Sequence, residues 1–347
     1  MNAKPLIYRY ELSDISNLLQ DWGEPAYRAG QIWKGLYQHL HSSWENFTTL
    51  SLDLRRRLGE NFALTSLQAE ATVSSADGQT TKTLFRLPDD RPVEAVLMRY
   101  RKRRTLCIST QAGCAMGCVF CATGQMGFLR HLSSGEIVEQ VIHYARQLAE
   151  EGERVTNIVL MGMGEPFHNY EATMSAIDRL NHPGGFNLGA RRFTVSTVGL
   201  VPMIKRFADG GSQVNLAVSL HTTDDSLRSS MIPINRKYPV RELLDACREY
   251  VEKTNRRITF EWALIRDVND SPEHARQLAE HLKGLLSHVN VIPLNPTQGY
   301  EGEATTRARA EAFRAELERH GIPCTIRMRR GIDIQAGCGQ LASERTL

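Results

Sequence analysis

Strand-like and helix-like segments alternate between residues 100 and 300, and this alternation limits the fold more than any other feature of the sequence. Six short apolar runs are typical of buried strands and lie at residues 105–110, 157–161, 192–196, 215–220, 258–264 and 289–294. Helical patterns separate them at 134–148, 170–180, 201–207, 240–254 and 272–285. Such units predict an α/β fold with a parallel sheet, either doubly wound or curled into a partial barrel. Both arrangements put a functional site at the C-terminal ends of the strands.

The segments on either side of this region have a different character. Residues 1–90 contain helical patterns at 13–19, 27–40 and 50–58 and then the first of two alternating strands, at 80–87 and 93–100. Residues 301–347 contain a polar helix, a strand near 324–328 and a glycine-bearing tail. We therefore predict three segments, at 1–90, 91–300 and 301–347.

The composition is that of an ordinary globular protein. With 347 residues and 41% hydrophobic content, the chain can bury one large core and a smaller module. No apolar run is long enough to span a membrane, and the opening MNAKPLIYRY lacks the apolar stretch of a signal peptide. These features predict a cytoplasmic protein without a membrane partner. Seven cysteines, three of them clustered, fit a reducing compartment better than a disulfide scaffold.

Basic residues are unevenly distributed, although the net charge is only +3. Arg99, Arg101, Lys102, Arg103 and Arg104 form a run just before the first strand of the alternating region. This run either contacts phosphate, as in nucleic-acid-binding proteins, or is a solvated connector.

Cys114, Cys118 and Cys121 form a C-x3-C-x2-C loop after the first strand of the alternating region, and three thiols this close together indicate a metal site. A structural zinc ion needs four ligands, usually from separated pairs, and the sequence has no second pair nearby. An iron–sulfur cube held by three cysteines keeps one iron without a protein ligand, and that iron can bind a small chelating molecule. A disulfide-bearing or zinc-stapled loop is the structural alternative.

This cysteine spacing, with an aromatic residue before the third thiol, resembles the signature of radical S-adenosylmethionine (SAM) enzymes. The resemblance implies a 4Fe-4S cluster on Cys114, Cys118 and Cys121, whose open iron holds the amino and carboxylate groups of SAM. It implies that Phe120 lies against the adenine of SAM. It also implies a partial (β/α)6 radical SAM barrel as the fold.

Residues suited to a cofactor follow several of the predicted strands. A glycine-rich turn after residue 161 contains Gly164 and Glu165, and its carboxylate can accept from an ammonium group. This turn resembles the radical SAM motif that binds the amino group of SAM. The ends of the later strands are suited to a ribose and an adenine edge; they contain Ser196, Ser219, Leu220, His221 and Asn295. A lone histidine is also commonly structural, so both interpretations of His221 stay open.

Two further cysteines narrow the resemblance. Cys107 lies on the strand that leads into the cysteine loop, and Cys338 lies between glycines near the C-terminus. Together with segments 121–124, 161–166, 231–235 and 268–270, they resemble the RlmN/Cfr family of radical SAM methyltransferases of ribosomal RNA adenosine. The match extends over nearly the whole chain. It implies that residues 1–90 are a small accessory RNA-binding domain and that residues 301–347 carry a methyl-accepting cysteine.

The family mechanism gives each of these residues an expected role. Carbon 2 of adenine is electron-poor, so ordinary methyl displacement fails there and a radical route is needed. The resemblance implies two SAM molecules per turnover, one to methylate Cys338 and one to supply the radical that activates the S-methyl group. Cys107 then attacks the Cys338 sulfur and releases methylated RNA with a transient disulfide. Glu94 matches the candidate proton acceptor, and the choice between Glu94 and Cys107 for that step stays open.

The resemblance favours the RlmN branch of the family. It implies methylation of carbon 2 of an adenosine in 23S rRNA and of an adenosine next to the anticodon in some tRNAs, with an external electron donor such as flavodoxin. Three alternatives stay open. They are Cfr-type methylation of carbon 8 of the same adenosine, a radical SAM enzyme for a peptide or small molecule, and a non-catalytic iron–sulfur or zinc RNA-binding protein.

Overall fold

The structure, a computed structural model, describes residues 4–327 and 329–342. Residues 1–3, 328 and 343–347, which belong to the predicted segments 1–90 and 301–347, lie outside the described residues. Within the described ranges the helices are α1 (Leu12–Asp21), α2 (Tyr27–Tyr37), α3 (Leu52–Asn61), α4 (Ala122–Gln125), α5 (Ser134–Glu150), α6 (Tyr170–Asn181), α7 (Val201–Asp209), α8 (Asp225–Met231), α9 (Val240–Thr254), α10 (Pro272–Leu282) and α11 (Arg307–Arg319). The strands are β1 (Gln68–Ser74), β2 (Thr80–Arg86), β3 (Pro92–Tyr100), β4 (Arg103–Cys107), β5 (Gln111–Gly113), β6 (Phe128–His131), β7 (Asn157–Leu160), β8 (Phe193–Thr197), β9 (Asn215–Ser219), β10 (Ile258–Leu264), β11 (Ser287–Pro293) and β12 (Cys324–Ile326).

One large sheet organises the molecule, and its order in the described residues is β1-β2-β3-β4-β7-β8-β9-β10-β11-β12. The first three pairings are antiparallel, and every pairing from β4 to β12 is parallel. Residues on one face of β4 and β7–β12 line a single cavity, so the parallel part of the sheet is curled. Since the order begins at β1 and ends at β12, the barrel is open. The partial barrel expected from the resemblance is confirmed, and a doubly wound sheet is not found.

Helices connect the parallel strands and bury their apolar faces on the outside of the sheet. Helix α5 shows how the sequence begins such an element, because Ser133 and Glu136 form a reciprocal capping box at its N-terminus. Its buried side includes Ile137, Val141 and Leu148, which join the main hydrophobic core. This packing holds the strand ends, and therefore the loops that follow them, in fixed positions.

The N-terminal helices are attached to the barrel by buried polar contacts. Arg146 on α5 donates to the carbonyl oxygens of Leu40 (2.9 Å) and His41 (2.7 Å). Arg179 on α6 donates to the carbonyl oxygen of Tyr8 at 2.6 Å. Glu139 accepts hydrogen bonds from the 65–67 segment that leads into β1. Partners of this kind are costly to remove from a buried site, so these helices are fastened to the barrel.

All six strands predicted in the alternating region are present, but five elements were not expected. Strand β1 adds to the predicted strand pair, β5 and β6 form a separate hairpin, α4 follows the cysteine loop, and α8 follows β9. The predicted segment boundary at residue 90 falls between β2 and β3, which are hydrogen-bonded neighbours in the large sheet. The strand pair is thus continuous with the barrel sheet, and the segment limits stay a prediction. No helix in the described residues is long and apolar enough to cross a lipid bilayer.

Candidate active site

The cysteine loop lies between β5 and α4, and it is sealed by apolar packing. Met116 and Cys118 are each 8% exposed and pack with Met231 and Ile232, at the end of α8, in a second hydrophobic cluster. The backbone N–H of Val119 donates to the carbonyl oxygen of Met231 at 3.0 Å. The loop is therefore held in one conformation by both backbone and side-chain contacts.

The three thiols have the chemistry of a cluster site. Burial raises the pKa of Cys118 well above its ordinary value and raises the pKa of Cys114 to about 12. Thiolates persist in such surroundings only when positive charge compensates them, and iron provides that charge. In residues 4–327 and 329–342 no three His, Cys, Asp or Glu side chains are grouped around a single metal position. A structural zinc ion needs four ligands around one position, whereas each thiolate of an iron–sulfur cluster binds a different iron.

A cavity of about 170 Å³ adjoins the cysteine loop at the C-terminal ends of the parallel strands. All but one of the predicted SAM-binding residues line it, and these are Phe120, Gly164, Glu165, Ser196, Ser219, His221 and Asn295. The exception is Leu220, whose side chain is fully buried in the main core. Cys118 and Cys121, two of the predicted cluster ligands, also line this cavity. We refer to it below as the cofactor cavity.

Glu165 is a buried acid in the wall of the cofactor cavity. Its Oε2 accepts from the N–H of Val198 at 2.9 Å and its Oε1 from the N–H of Phe167 at 3.0 Å. Burial nevertheless raises its pKa to about 7. None of the ion pairs found in the described residues includes Glu165. An ammonium group bound in the cavity would supply the missing positive charge, as the amino group of SAM does.

Gly164, Asn295 and His221 complete the fit to SAM. Gly164 has a φ of +100°, and a Cβ there would lie 2.6 Å from the Cβ of Gln111, so only glycine fits the turn. Asn295 has a buried Oδ1 that accepts no hydrogen bond in the described structure, which suits a ligand donor such as an adenine amino group. Burial lowers the pKa of His221 to about 3, and its Nδ1 accepts from the N–H of Ala263 at 2.8 Å. His221 is thus a neutral imidazole with a structural contact and one nitrogen left to donate.

Cys338 lies between the cofactor cavity and a second, larger cavity of about 980 Å³ inside the barrel, and it lines both. Its segment is held by hydrogen bonds from separate elements. Asn295 Nδ2 donates to the carbonyl oxygen of Cys338 at 3.0 Å, and the N–H of Ala122 donates to that of Gly339 at 2.7 Å. Thr123 Oγ1 donates to the carbonyl oxygen of Leu341 at 2.5 Å. The thiol therefore sits beside the cysteine loop and faces the barrel interior.

The larger cavity contains Cys107 and a strongly basic lining. Cys107 at the end of β4 is 8% exposed, and burial raises its pKa to about 12. Glu261 is the one carboxylate among the residues that line this cavity. Seven arginines line it, and they are Arg103, Arg191, Arg256, Arg257, Arg327, Arg329 and Arg330. Such a charge balance suits a polyanionic ligand with a part that reaches Cys107 and Cys338. In the sequence, Arg103 belongs to the basic run from Arg99 to Arg104, and the other six belong to smaller basic groups that are each a weak signal.

Glu94, the candidate proton acceptor, lines neither cavity. It is 1% exposed on β3 and forms an ion pair of 3.0 Å with Lys82 on β2. Sequence patterns did not single out Lys82 or Arg228. Arg228 is fully buried and donates to the carbonyl oxygens of Val198 (2.6 Å) and Ser219 (3.1 Å) beside the cofactor cavity. The only sequence signal for Lys82 is the alternation of side chains along β2, which puts this cation on the face of the strand that points inward.

Comparisons with known proteins agree with this geometry. Residues 108–280 match the model of the radical SAM superfamily, and residues 7–64 match that of the ribosomal RNA large subunit methyltransferase N-terminal domain. A probable dual-specificity RNA methyltransferase RlmN from Chloroflexus aurantiacus is 49% identical over 98% of this chain and 93% of its own length. A dual-specificity RNA methyltransferase RlmN 1 from Myxococcus xanthus is 51% identical over 94% of this chain and 91% of its own. The crystal structure of a radical SAM methyltransferase from Sphaerobacter thermophilus has 50% identity and a TM-score of 0.96, covering 98% of this chain and all of that one.

The open barrel, the three-cysteine loop and the cofactor cavity together define a radical SAM enzyme, which uses a 4Fe-4S cluster and SAM. Its N-terminal helices and its nearly full-length relatives specify it further. The chain belongs to the RlmN family of radical SAM RNA methyltransferases.

Proposed function

We propose that the protein methylates carbon 2 of an adenosine in 23S rRNA and of an adenosine next to the anticodon in some tRNAs, with Cys338 as the methyl carrier. One observation carries this proposal: the Cys338 thiol lines both the cofactor cavity and the larger basic cavity. The names of the relatives, dual-specificity RNA methyltransferases, support RNA as the substrate. An external electron donor such as flavodoxin is part of the proposal, and the cytoplasmic location expected from the sequence stays a prediction.

The residues of the cofactor cavity would bind the cluster and SAM and hold them in a fixed orientation. When bound, the cluster and SAM supply a transferable methyl group and a radical that abstracts hydrogen. Cys114, Cys118 and Cys121 would hold the cluster, and Glu165 would pair with the ammonium group of SAM. Asn295 has an acceptor oxygen left for the adenine and also holds the Cys338 backbone, so it would orient both partners of the methyl transfer.

Cys338 and Cys107 carry the covalent steps. The Cys338 sulfur would act as the nucleophile that accepts the methyl group which SAM supplies, with S-adenosylhomocysteine as the leaving group, and the thiol would lose its proton. After the activated methyl carbon has bonded to the adenine, the adduct would lose its unpaired electron to a one-electron acceptor such as the oxidised cluster, and its ring proton to a base. The Cys107 sulfur would then attack the Cys338 sulfur. A disulfide bond forms and the sulfur–carbon bond breaks. Its electron pair stays on the carbon, which takes a proton to complete the methyl group, and an external thiol reductant restores both cysteines.

The arginine-lined cavity would hold the RNA. Seven arginines against one carboxylate favour the phosphates next to the target nucleotide. Phosphate contacts of this kind position a substrate without reading its sequence. The base itself must enter the cavity far enough to reach Cys338, which requires it to be unstacked from the RNA.

Mass spectrometry of digested RNA tests the proposal. The reconstituted enzyme is incubated anaerobically with SAM, a reductant and unmethylated 23S rRNA or tRNA, and the nucleosides are separated. We expect 2-methyladenosine from both RNAs. An 8-methyladenosine product would replace the proposal by Cfr-type chemistry. Cleavage of SAM without any RNA methylation would favour a peptide or small-molecule substrate, and no cleavage of SAM by iron-loaded protein would favour a non-catalytic RNA-binding protein.

A further inference from the structure

The ion pair between Lys82 and Glu94 is buried at the inner side of the antiparallel strands. Lys82 is 5% exposed and Glu94 is 1% exposed, and the Nζ–Oε1 distance is 3.0 Å. Burying two charges is costly, and hydrophobic residues of similar volume often replace such a pair without loss of stability. An ion pair in this position therefore calls for an explanation other than stability alone.

Both members of the pair also hold the backbone of residues 331–342, the Cys338 segment. Lys82 Nζ donates to the carbonyl oxygen of Gln335 at 3.3 Å, on the N-terminal side of Cys338. The second carboxylate oxygen of Glu94, Oε2, accepts from the N–H of Ala342 at 3.1 Å, on the C-terminal side. The ion pair thus holds the backbone on both sides of the Cys338 thiol. A third contact, from the N–H of Ala76 to Asp333 at 2.8 Å, fastens the same segment to the turn between β1 and β2.

The sheet register connects this ion pair to Cys107. Lys82 pairs with Val96 on β3, and Val96 pairs with Cys107 on β4, so the three side chains point to the same face of the sheet. Cys107 lines the larger cavity, so this is the inner face. Neighbouring strands are about 4.8 Å apart, which puts the backbone of Lys82 roughly 10 Å from that of Cys107. The Cys338 segment is therefore hydrogen-bonded to Lys82, which lies in the same cross-strand row as Cys107, the proposed disulfide partner of Cys338.

We propose that the Lys82–Glu94 pair is a clamp that holds the Cys338 segment on both sides of the thiol and so keeps the Cys338 thiol within reach of Cys107. Glu94 is then a positioning residue and not the acceptor of the ring proton. This inference rests on the proposed function for its purpose, but the clamp can be tested without RNA. Two observations support it over proton transfer: both carboxylate oxygens of Glu94 are occupied, and Glu94 lines neither cavity.

The first experiment measures how readily the two thiols meet. The anaerobic holoenzyme is equilibrated with mixtures of reduced and oxidised glutathione, and peptide mass spectrometry gives the fraction with a Cys107–Cys338 disulfide. The midpoint of this titration is the effective concentration of one thiol at the other. The main variant is Lys82→Met with Glu94→Gln, which removes both charges together and so avoids a single unpaired buried charge.

A decrease of about tenfold or more in effective concentration is expected for the double variant, since the segment then has more conformations available. Lys82→Arg keeps the cation and should remain close to the wild type. Arg86→Met is the matched control, because it removes an ion pair with Glu70 from the same strand β2 without a hydrogen bond to the Cys338 segment. An unchanged effective concentration in the double variant, or an equal decrease in Arg86→Met, would overturn the clamp.

The second experiment separates the clamp from proton transfer. If Glu94 accepted the ring proton, Glu94→Gln would accumulate the covalent protein–RNA adduct while Lys82→Met would not, and that result would overturn the proposal. The clamp predicts the same behaviour in both single variants, with less disulfide formed and little difference in adduct between them. If no RNA is methylated by the wild type but the glutathione titration still depends on Lys82 and Glu94, the proposed function fails and the clamp stands.

Discussion

The loop from Cys114 to Cys121 and the segment from Gly331 to Ala342 both carry cysteines with a proposed function, yet they differ in how they are held in place. The cysteine loop is packed into a hydrophobic cluster with Met231 and Ile232. The Cys338 segment is held by hydrogen bonds, from Lys82 and Glu94 on either side of the thiol and from Asn295, Ala122 and Thr123 near it, together with one apolar side chain, Leu341, in the main core.

This difference matches the work that each cysteine does. Close apolar packing has a narrow energy minimum and fixes a position, which suits ligands that must bind one cluster. A hydrogen bond contributes about 0.5–1.5 kcal/mol net, so several of them can hold a segment and can also be exchanged one at a time. Such a connection suits a thiol that must meet SAM, the adenine and Cys107 in turn.

The largest effect is expected from the loss of a cluster ligand. Cys118→Ala removes one of three thiolates, so the protein should lose most of its iron and all SAM cleavage and RNA methylation. Iron and sulfide analysis with the absorption spectrum measures the first effect. The control is Cys247→Ala, which removes a buried thiol from α9 in the main core. Full iron content and SAM cleavage in Cys118→Ala would contradict the assignment of the loop.

Cys338→Ala should abolish RNA methylation without affecting the cysteine loop. The cluster and the cofactor cavity do not depend on this thiol, so the variant should bind iron normally while RNA methylation falls below detection. Labelled methyl groups from SAM, counted in recovered RNA, provide the measurement. Cys324→Ala, on β12, is the matched control and should methylate normally. If Cys338→Ala also lost its iron, the thiol would be acting as a ligand and the division between the regions would be wrong.

A substitution beneath the cysteine loop should lower the free energy of unfolding more than a substitution in the Cys338 segment. Ile232→Ala leaves a cavity beneath the cysteine loop and should lower the free energy of unfolding by about 2–4 kcal/mol. Gln340→Ala removes a donor to the carbonyl oxygen of Pro296 (3.0 Å) and an acceptor for the N–H of Gly337 (3.0 Å), and should cost less, about 1–2 kcal/mol. Urea denaturation of the cluster-free protein measures both. Equal losses for the two variants would mean that the two segments are held equally firmly.

The smallest effect is a pH dependence that comes from Glu165. Because its pKa is raised from 4.5 to about 7, the folded cofactor-free protein should lose stability as the pH rises from 4.5 through 7. Binding of SAM has the opposite trend, since the ammonium group needs the ionised carboxylate. Affinity for the unreduced holoenzyme should weaken up to about tenfold per pH unit below 7. Calorimetry measures this, and Glu165→Gln should bind weakly with little pH dependence; an unchanged pH profile in that variant would exclude Glu165 as the ammonium partner.

Local patterns predicted a parallel α/β sheet and nearly all residues of the cofactor cavity, and the family resemblance predicted that the sheet forms a partial barrel. Cys114, Cys118 and Cys121 lie within one loop, and Glu165, Ser196, Ser219 and Asn295 each follow a recognisable strand, so the rule for parallel sheets brings them together. Leu220 was expected at the cofactor because it lies between two lining residues, but alternation along the chain turns its side chain into the core.

The contacts of the Cys338 segment could not be predicted in the same way. They join residues that are far apart in sequence, such as Lys82 with Gln335 and Glu94 with Ala342, and the register that aligns Lys82 with Cys107 depends on two strand pairings. Helix α8 was missed because it has only seven residues, too few for a helical period to be clear. The arginines of the larger cavity were separate weak signals, and only the curled sheet brings them together.

The central claim is that Cys338 carries the methyl group between the two cavities. Mass spectrometry of the peptide that contains Cys338, after incubation of the holoenzyme with SAM bearing a labelled methyl group and before RNA is added, tests it most directly. We predict one labelled methyl on the Cys338 sulfur, and subsequent transfer of its carbon to adenosine when RNA and reductant are supplied. An unmodified Cys338 peptide in a preparation that nevertheless methylates RNA would contradict the account.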